Sequence, residues 1–257
     1  MKPLTIKVDI NGRNYTMAEL DQIYDERTLH VFTEMQALGA VILNDHGEVL
    51  TQAQIALLTA PQRRDLLLAN KLRLGTDKLK ALYADSMKTA DEMWQDIVAH
   101  SNGQYNEKVA RAHLVISGVK ITQFAKLAQV AGDDPVVSLG ANPEHFEVTN
   151  DATGQHGFET MGMYGEPTLM DLRMGIKNLP EPADHHYLKH MVGDSRLAND
   201  LEVVNAYAMH QVRPSLHGIE IASGAYFPSA TPQALVDGHA IHLAIEFSNV
   251  FRALADK

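Results

Sequence analysis

The chain has 257 residues, 22 Lys plus Arg against 32 Asp plus Glu, and a formal net charge of −10. This balance argues against a nucleic-acid binder, whose phosphate contacts need clustered Lys and Arg, while 45% hydrophobic and 21% charged residues supply a core rather than a disordered chain. With no cysteine, disulfides, thiolate nucleophiles and thiolate metal sites are excluded, so any metal must be held by His and carboxylates.

Met1-Lys2-Pro3-Leu4 passes straight into Thr5-Ile6-Lys7-Val8-Asp9-Ile10 with no apolar leader, and no apolar run approaches the roughly 20 residues that span a bilayer. A cytoplasmic protein without a membrane segment is expected. Charge is uneven: residues 1–130 hold 15 basic and 15 acidic residues, whereas 131–257 hold 7 and 17, with 9 of the 13 histidines. Acid and imidazole enriched together are what a cation site requires, although they also describe a solvated His-rich surface.

In chain order, Asn11-Gly12 between two alternating runs predicts a hairpin. Thr16-Met17-Ala18-Glu19 has the capping-box form and predicts a helix to about Leu38; Thr51-Gln52-Ala53-Gln54 repeats that form before Ile55, Leu57 and Leu58. Further helices are predicted from Pro61, from Thr76, from about Ala90 to His100, and from Glu107 to Val130 with a break near Gly118. Ala131-Gly132-Asp133-Asp134-Pro135 then marks a domain boundary. Beyond it, 168–174, 203–213 and 218–227 read as strands. Thr231 as N-cap and Pro232 at the first helical position open a closing helix that runs to about Ala255. The expected class is α+β: a mainly helical domain over 1–132, then an antiparallel sheet packed against a long C-terminal helix over 133–257.

The chemistry-bearing residues concentrate in that second part. His242-Leu243-Ala244-Ile245-Glu246 puts an imidazole and a carboxylate one helical turn apart on one face, where two ligands can reach one cation. His239 lies three residues earlier and competes as a partner for His242. An isolated pair of this kind is more often a solvated stripe, but apolar neighbours from Ile241 to Phe251 argue that this face is half buried, and buried charges need partners or a metal. A second cluster, Asn142-Pro143-Glu144-His145-Phe146-Glu147 with Gln155-His156-Gly157-Phe158-Glu159, reads as loops able to build a ligand site. His210, in Met209-His210-Gln211-Val212-Arg213, sits on a strand face shared with Val212.

Taken together, His210-Gln211-Val212-Arg213, Gly218-Ile219-Glu220-Ile221-Ala222-Ser223 and His242-Leu243-Ala244-Ile245-Glu246-Phe247-Ser248-Asn249 resemble, in order and local spacing, the diacetylphloroglucinol and phloretin hydrolase family. The resemblance implies a helical N-terminal part before a Bet v1-like helix-grip domain, a zinc-dependent hydrolase that cuts an acyl–carbon bond of a phloroglucinol-type substrate, and a homodimer. It implies His145, Glu159, His242 and Glu246 as zinc ligands, with Glu144 or His156 as alternatives to His145, His210 as the acid/base and Tyr226 as a phenol-binding residue. The family's Arg-Ser-Arg-Phe-Trp run is here Ala222-Ser223-Gly224-Ala225-Tyr226, so the substrate is expected to differ within the class of small aromatic or ketonic compounds. Zn²⁺ suits the nitrogen and oxygen ligands, as do other divalent metals. Two other readings stay open: a Bet v1-like binding protein without catalysis, and a metal-dependent lyase, isomerase or oxygenase. A net charge of −10 disfavours strongly anionic substrates.

Overall fold

Asn11 and Gly12 take φ of 53° and 82°, the positive values that a two-residue hairpin loop needs to match the twist of its strands. They join β1 (Thr5–Ile10) to β2 (Arg13–Tyr15), with Ile10 opposite Arg13. The structure, a computed structural model, describes residues 3–122, 132–152, 154–176 and 178–255. Four helices follow the hairpin: α1 (Met17–Ala37), α2 (Gln52–Ala56), α3 (Ala60–Leu82) and α4 (Ala84–His100). The capping boxes of Thr16 with Glu19 and Thr51 with Gln54 form as expected. The expected restart at Thr76 is a kink inside α3, where Gly75 takes φ 73°.

The remaining strands are β3 (Lys108–Ser117), β4 (His145–Asn150), β5 (Gln155–Glu159), β6 (Thr168–Met174), β7 (Lys189–Leu197), β8 (Asp200–Ser215) and β9 (Gly218–Phe227). A short α5 (Pro135–Ala141) precedes β4, and α6 (Gln233–Ala255) closes the chain. The nine strands of the described residues form one antiparallel sheet in the order β2-β1-β3-β9-β8-β7-β6-β5-β4. Its inner face packs against α6: Ala110, Leu114, Ile116, Ile219, Ile221 and Phe227 meet Leu235, Ala240, Ala244 and Phe251 in one core, which Leu20 of α1 and Trp94 of α4 also join. A second core sets Val31, Phe32, Leu67 and Leu79 of α1 and α3 against Phe146 and Phe158 of β4 and β5.

The class is α+β as expected, and 168–174, 203–213 and 218–227 are strands. Three expectations need correction. The helix predicted from Glu107 is β3 as far as Ser117, because Ala110, Ala112, Leu114 and Ile116 are buried at every second position while β1 and β9 pair on either side. Good helix formers lose to two ladders of backbone hydrogen bonds. The rest of that expectation, 123–130, lies outside the described residues. The cluster expected to be loops is the β4–β5 hairpin. Finally, β1, β2 and β3 belong to the same sheet as the strands beyond residue 132, so the division expected there separates no independent layer.

Candidate metal centre

Asp134 caps α5 by accepting from the Val136 N–H at 3.0 Å, with Pro135 at the first helical position. The helix ends at Asn142, fully buried, whose Oδ1 accepts from the Glu144 N–H at 3.1 Å and whose Nδ2 donates to the His242 carbonyl at 3.3 Å. This amide fixes the turn before β4 to the middle of α6. The ladder then pairs His145 with Glu159 directly across the hairpin, and a bulge after His145 lets Phe146 turn into the second core. Thus two residues 14 apart in sequence face one point that His242 and Glu246 reach from α6.

At that point His145 Nε2 lies 3.1 Å from His242 Nε2 and 3.3 Å from Glu159 Oε2, and His242 Nε2 lies 3.8 Å from Glu159 Oε1. His145, His242 and Glu246 offer ligand atoms all within 4.8 Å of one another. The far sides of both rings are occupied. His145 Nδ1 is 2.8 Å from the Ser138 carbonyl, which can only accept, so Nδ1 carries the hydrogen. His242 Nδ1 is 3.0 Å from Glu144 Oε2, an oxygen that Arg27 Nη1 also reaches at 2.6 Å, and the same assignment follows. Both Nε2 lone pairs therefore converge beside Glu159, where their repulsion is relieved by a cation between them or by a proton held on Glu159. Carbonyl and carboxylate partners behind ligating histidines are what orient them towards a metal. The residues present thus fit a divalent cation.

Burial holds both imidazoles in the neutral, ligating form: the His145 pKa falls to about 3 and that of His242 well below the ordinary histidine value. Burial, and then the neighbouring Glu246, push the Glu159 carboxyl well up, and burial raises Glu246 to about 7. A cation would reverse this and hold both carboxylates ionised.

Two buried basic side chains from the helical part support the turn, and burial lowers the Lys71 pKa to about 7. Arg27 of α1 binds Glu144 and donates to the Gly238 carbonyl at 3.0 Å, and Lys71 of α3 donates to the His145 carbonyl at 2.6 Å and to that of Pro143. Sequence reasoning missed both. Their signal was a charge on an apolar helical stripe: Arg27 among Leu20, Tyr24, Thr28 and Val31, and Lys71 four residues after Leu67.

A cavity of about 100 Å³ opens beside the centre between α6 and the inner sheet face. Glu159, Glu246, His210 and His239 line it, with Met161, Met170, Leu172 and Leu243 among its apolar walls. His210 Nδ1 is 2.8 Å from Ser223 Oγ, and burial lowers the ring's pKa to about 4. His239 stacks on His242, and its buried Nδ1 has no hydrogen-bond partner among the described residues.

His145, Glu159, His242 and Glu246 are therefore brought together, with His210 across the cavity. Glu144 stands behind His242, on the Nδ1 side of its ring, rather than among the ligand atoms, and His239 lies in the cavity wall. His156 is elsewhere: it is on the opposite face of β5, between Asp171 at 2.7 Å and Asp151 at 2.9 Å. Tyr226 is also apart, because strand alternation sends its ring to the outer sheet face, where its hydroxyl donates to Glu181. A second group that could hold a metal, Asp184, His185 and His186, is a run of neighbours at the surface. No helix among the described residues is long and apolar enough to cross a membrane. No protein-family model matches the chain, and no curated protein sequence is significantly similar to it.

Proposed function

We propose that the protein is a metal-dependent hydrolase, with zinc as the favoured metal, that cleaves the bond between an acyl carbon and the adjacent carbon of a neutral ketonic substrate. The observation that supports a metal is the pair of Nε2 lone pairs 3.1 Å apart beside Glu159, each ring locked from behind, and the choice of reaction rests on the resemblance to the phloretin hydrolase family. His145, His242, Glu246 and Glu159 hold the metal, which when bound supplies Lewis acidity at the substrate carbonyl and lowers the pKa of water. In the overall reaction the oxygen of water joins the acyl carbon, the acyl–carbon bond breaks, and its electron pair leaves with the second carbon, which takes up a proton. His210 faces the cavity; with its Nδ1–H donating to Ser223 Oγ, the Nε2 of this neutral ring takes the proton released by the attacking water and passes it to that carbon. The apolar walls keep bulk water from the reacting carbons. A helix-grip arrangement of the Bet v1 kind belongs to the same reading, supported by α6 packed against β1, β3 and β9. So does the resemblance to the phloretin hydrolase family, with the homodimer it implies.

The test is metal content by plasma mass spectrometry on purified protein and on His242→Ala, followed by hydrolysis of β-diketones. About one metal per chain, absent from the variant, with acid released from a diketone, is the expected result. Protein that takes up no metal from a zinc-loaded buffer overturns the reading.

A further inference from the structure

The outer face of the sheet, turned away from α6, has a trough along β9. Two rows of paired residues cross the strands there: Arg111, Gly224 and Met209 in one, His113, Ala222 and Gln211 in the next. Strand alternation aims all of them outward. Because Gly224 and Ala222 stand in the middle of the rows, the longer side chains of β3 and β8 enclose a space instead of meeting over it. This cavity of about 320 Å³ exceeds the roughly 150 Å³ that holds one benzene ring.

One end of the trough already holds a carboxylate. Glu181, from the segment ahead of β7, accepts from Arg111 Nη2 at 2.8 Å and from the Tyr226 hydroxyl. Tyr226 is 2% exposed, and burial, with Glu181 beside it, holds its phenol well above the ordinary value, so the hydroxyl is a donor at neutral pH. The Arg111 guanidinium lies 5.7 Å from the centre of the Tyr226 ring, which keeps the two donors together. The carboxylate between them is less firmly placed. The side chains of Arg111 and Glu181 are 55% and 38% exposed, and ion pairs so exposed hold weakly. Farther along, Gln211 gives its Oε1 to the Asp184 N–H at 2.6 Å, which leaves its Nε2 to the trough with no acceptor among the described residues. The other acids nearby are engaged: Asp9 Oδ1 accepts from the Gly12 N–H at 3.1 Å, and Glu220 holds Arg213 at 2.6 Å and His113 at 2.7 Å.

We infer that this outer-face trough binds a small aromatic monocarboxylic acid, and that Glu181 occupies the carboxylate position as an internal substitute. The guest's carboxylate replaces that of Glu181 between Arg111 and Tyr226, its ring lies on Gly224 and Ala222 beside Met209, and Gln211 Nε2 donates to a polar substituent on the ring. The site is on the opposite face of the sheet from the metal centre and does not depend on the hydrolase reading.

The experiment titrates 4-hydroxybenzoate, 4-hydroxybenzamide and 4-hydroxybenzylamine into the full-length protein by calorimetry, with metal content measured throughout. The carboxylate is expected to bind and the amide and amine are not. Glu181→Ala, which removes the internal substitute, is expected to tighten the carboxylate about fivefold. Arg111→Met, which removes a charged donor, and Ala222→Leu, which fills the floor, are each expected to weaken it about tenfold or more. Metal content is expected to be unchanged in all three. Tyr226→Phe, with the same expected direction, replaces either weakening variant that circular dichroism shows to be unfolded. Carboxylate binding that is indifferent to these changes lies elsewhere and overturns the inference. So does a preference for the amine, or no binding by either the unaltered protein or Glu181→Ala. Each of these results leaves the metal centre standing.

Discussion

Arg27 reaches the candidate metal centre without facing it: its guanidinium holds Glu144 at 2.6 Å, and Glu144 contacts His242 from behind. Removing such a partner typically lowers metal affinity about 10- to 100-fold. Arg27→Met also leaves Glu144 buried and unpaired, a loss of about 3–5 kcal/mol. Chelator competition on the folded fraction and thermal melts separate the two effects, and an unchanged metal affinity would show that Glu144 does not position His242. His210 carries a pH signature of its own. Its pKa is about 4 in the folded protein against 6.5 for the free side chain, so between these values the unfolded chain binds more protons. Stability therefore falls as pH drops from 6.5 to 4, by up to about 3 kcal/mol from this residue. In His210→Gln that component is absent, and denaturant melts at pH 7 and pH 4.5 on both proteins measure it.

Among the elements, α6 and the loop after β5 touch backbone to backbone. A Cβ on Gly238 would fall 2.3 Å from the Gly162 carbonyl oxygen, and Gly162 has φ 79°. Alanine normally improves a helix interior by about 1 kcal/mol over glycine. Here Gly238→Ala is expected to reverse that sign, destabilising the protein by about 2 kcal/mol through steric conflict and weakening metal binding, because the same turn of α6 carries His239 and His242. A melting temperature at or above that of the unaltered protein would show that the two elements can move apart freely. At the other end of the chain, the Thr16–Glu19 capping box is exposed and remote from the centre. Thr16→Ala is expected to lower stability by about 1 kcal/mol with metal content unchanged.

At the scale of the whole molecule, the sheet crosses residue 132: β9 has β3 as its neighbour along ten residue pairs, and Arg27 and Lys71 come from helices ahead of β3. A fragment of 133–257 would expose an open edge on β9 and lose both buried basic side chains, so it is expected to be unfolded by circular dichroism and to bind no stoichiometric metal. A folded, metal-binding fragment would restore the division at 132. Much of the fold was legible from local pattern: caps, the Asn11-Gly12 turn, the short turn-bounded runs of β6, β8 and β9, and the Thr231-Pro232 opening of α6 are written in neighbouring residues. The partnership of His242 with Glu246 was legible for the same reason, since one helical turn fixes it. β3 was not, because Ala110-Arg111-Ala112-His113-Leu114 suits a helix by propensity and becomes a strand only where β1 and β9 flank it. Nor was the face of Tyr226, since neighbouring residues on a strand point to opposite sides and only its register against β8 decides which side meets α6. The sequence by itself determined the α+β class, the length of the closing helix and a His/Glu donor set without thiolates. The tertiary structure decided that His145 faces Glu159 across a hairpin and that helices far upstream hold them there, because long-range pairing and the burial of Arg27 and Lys71 exist only once the sheet has closed against α6.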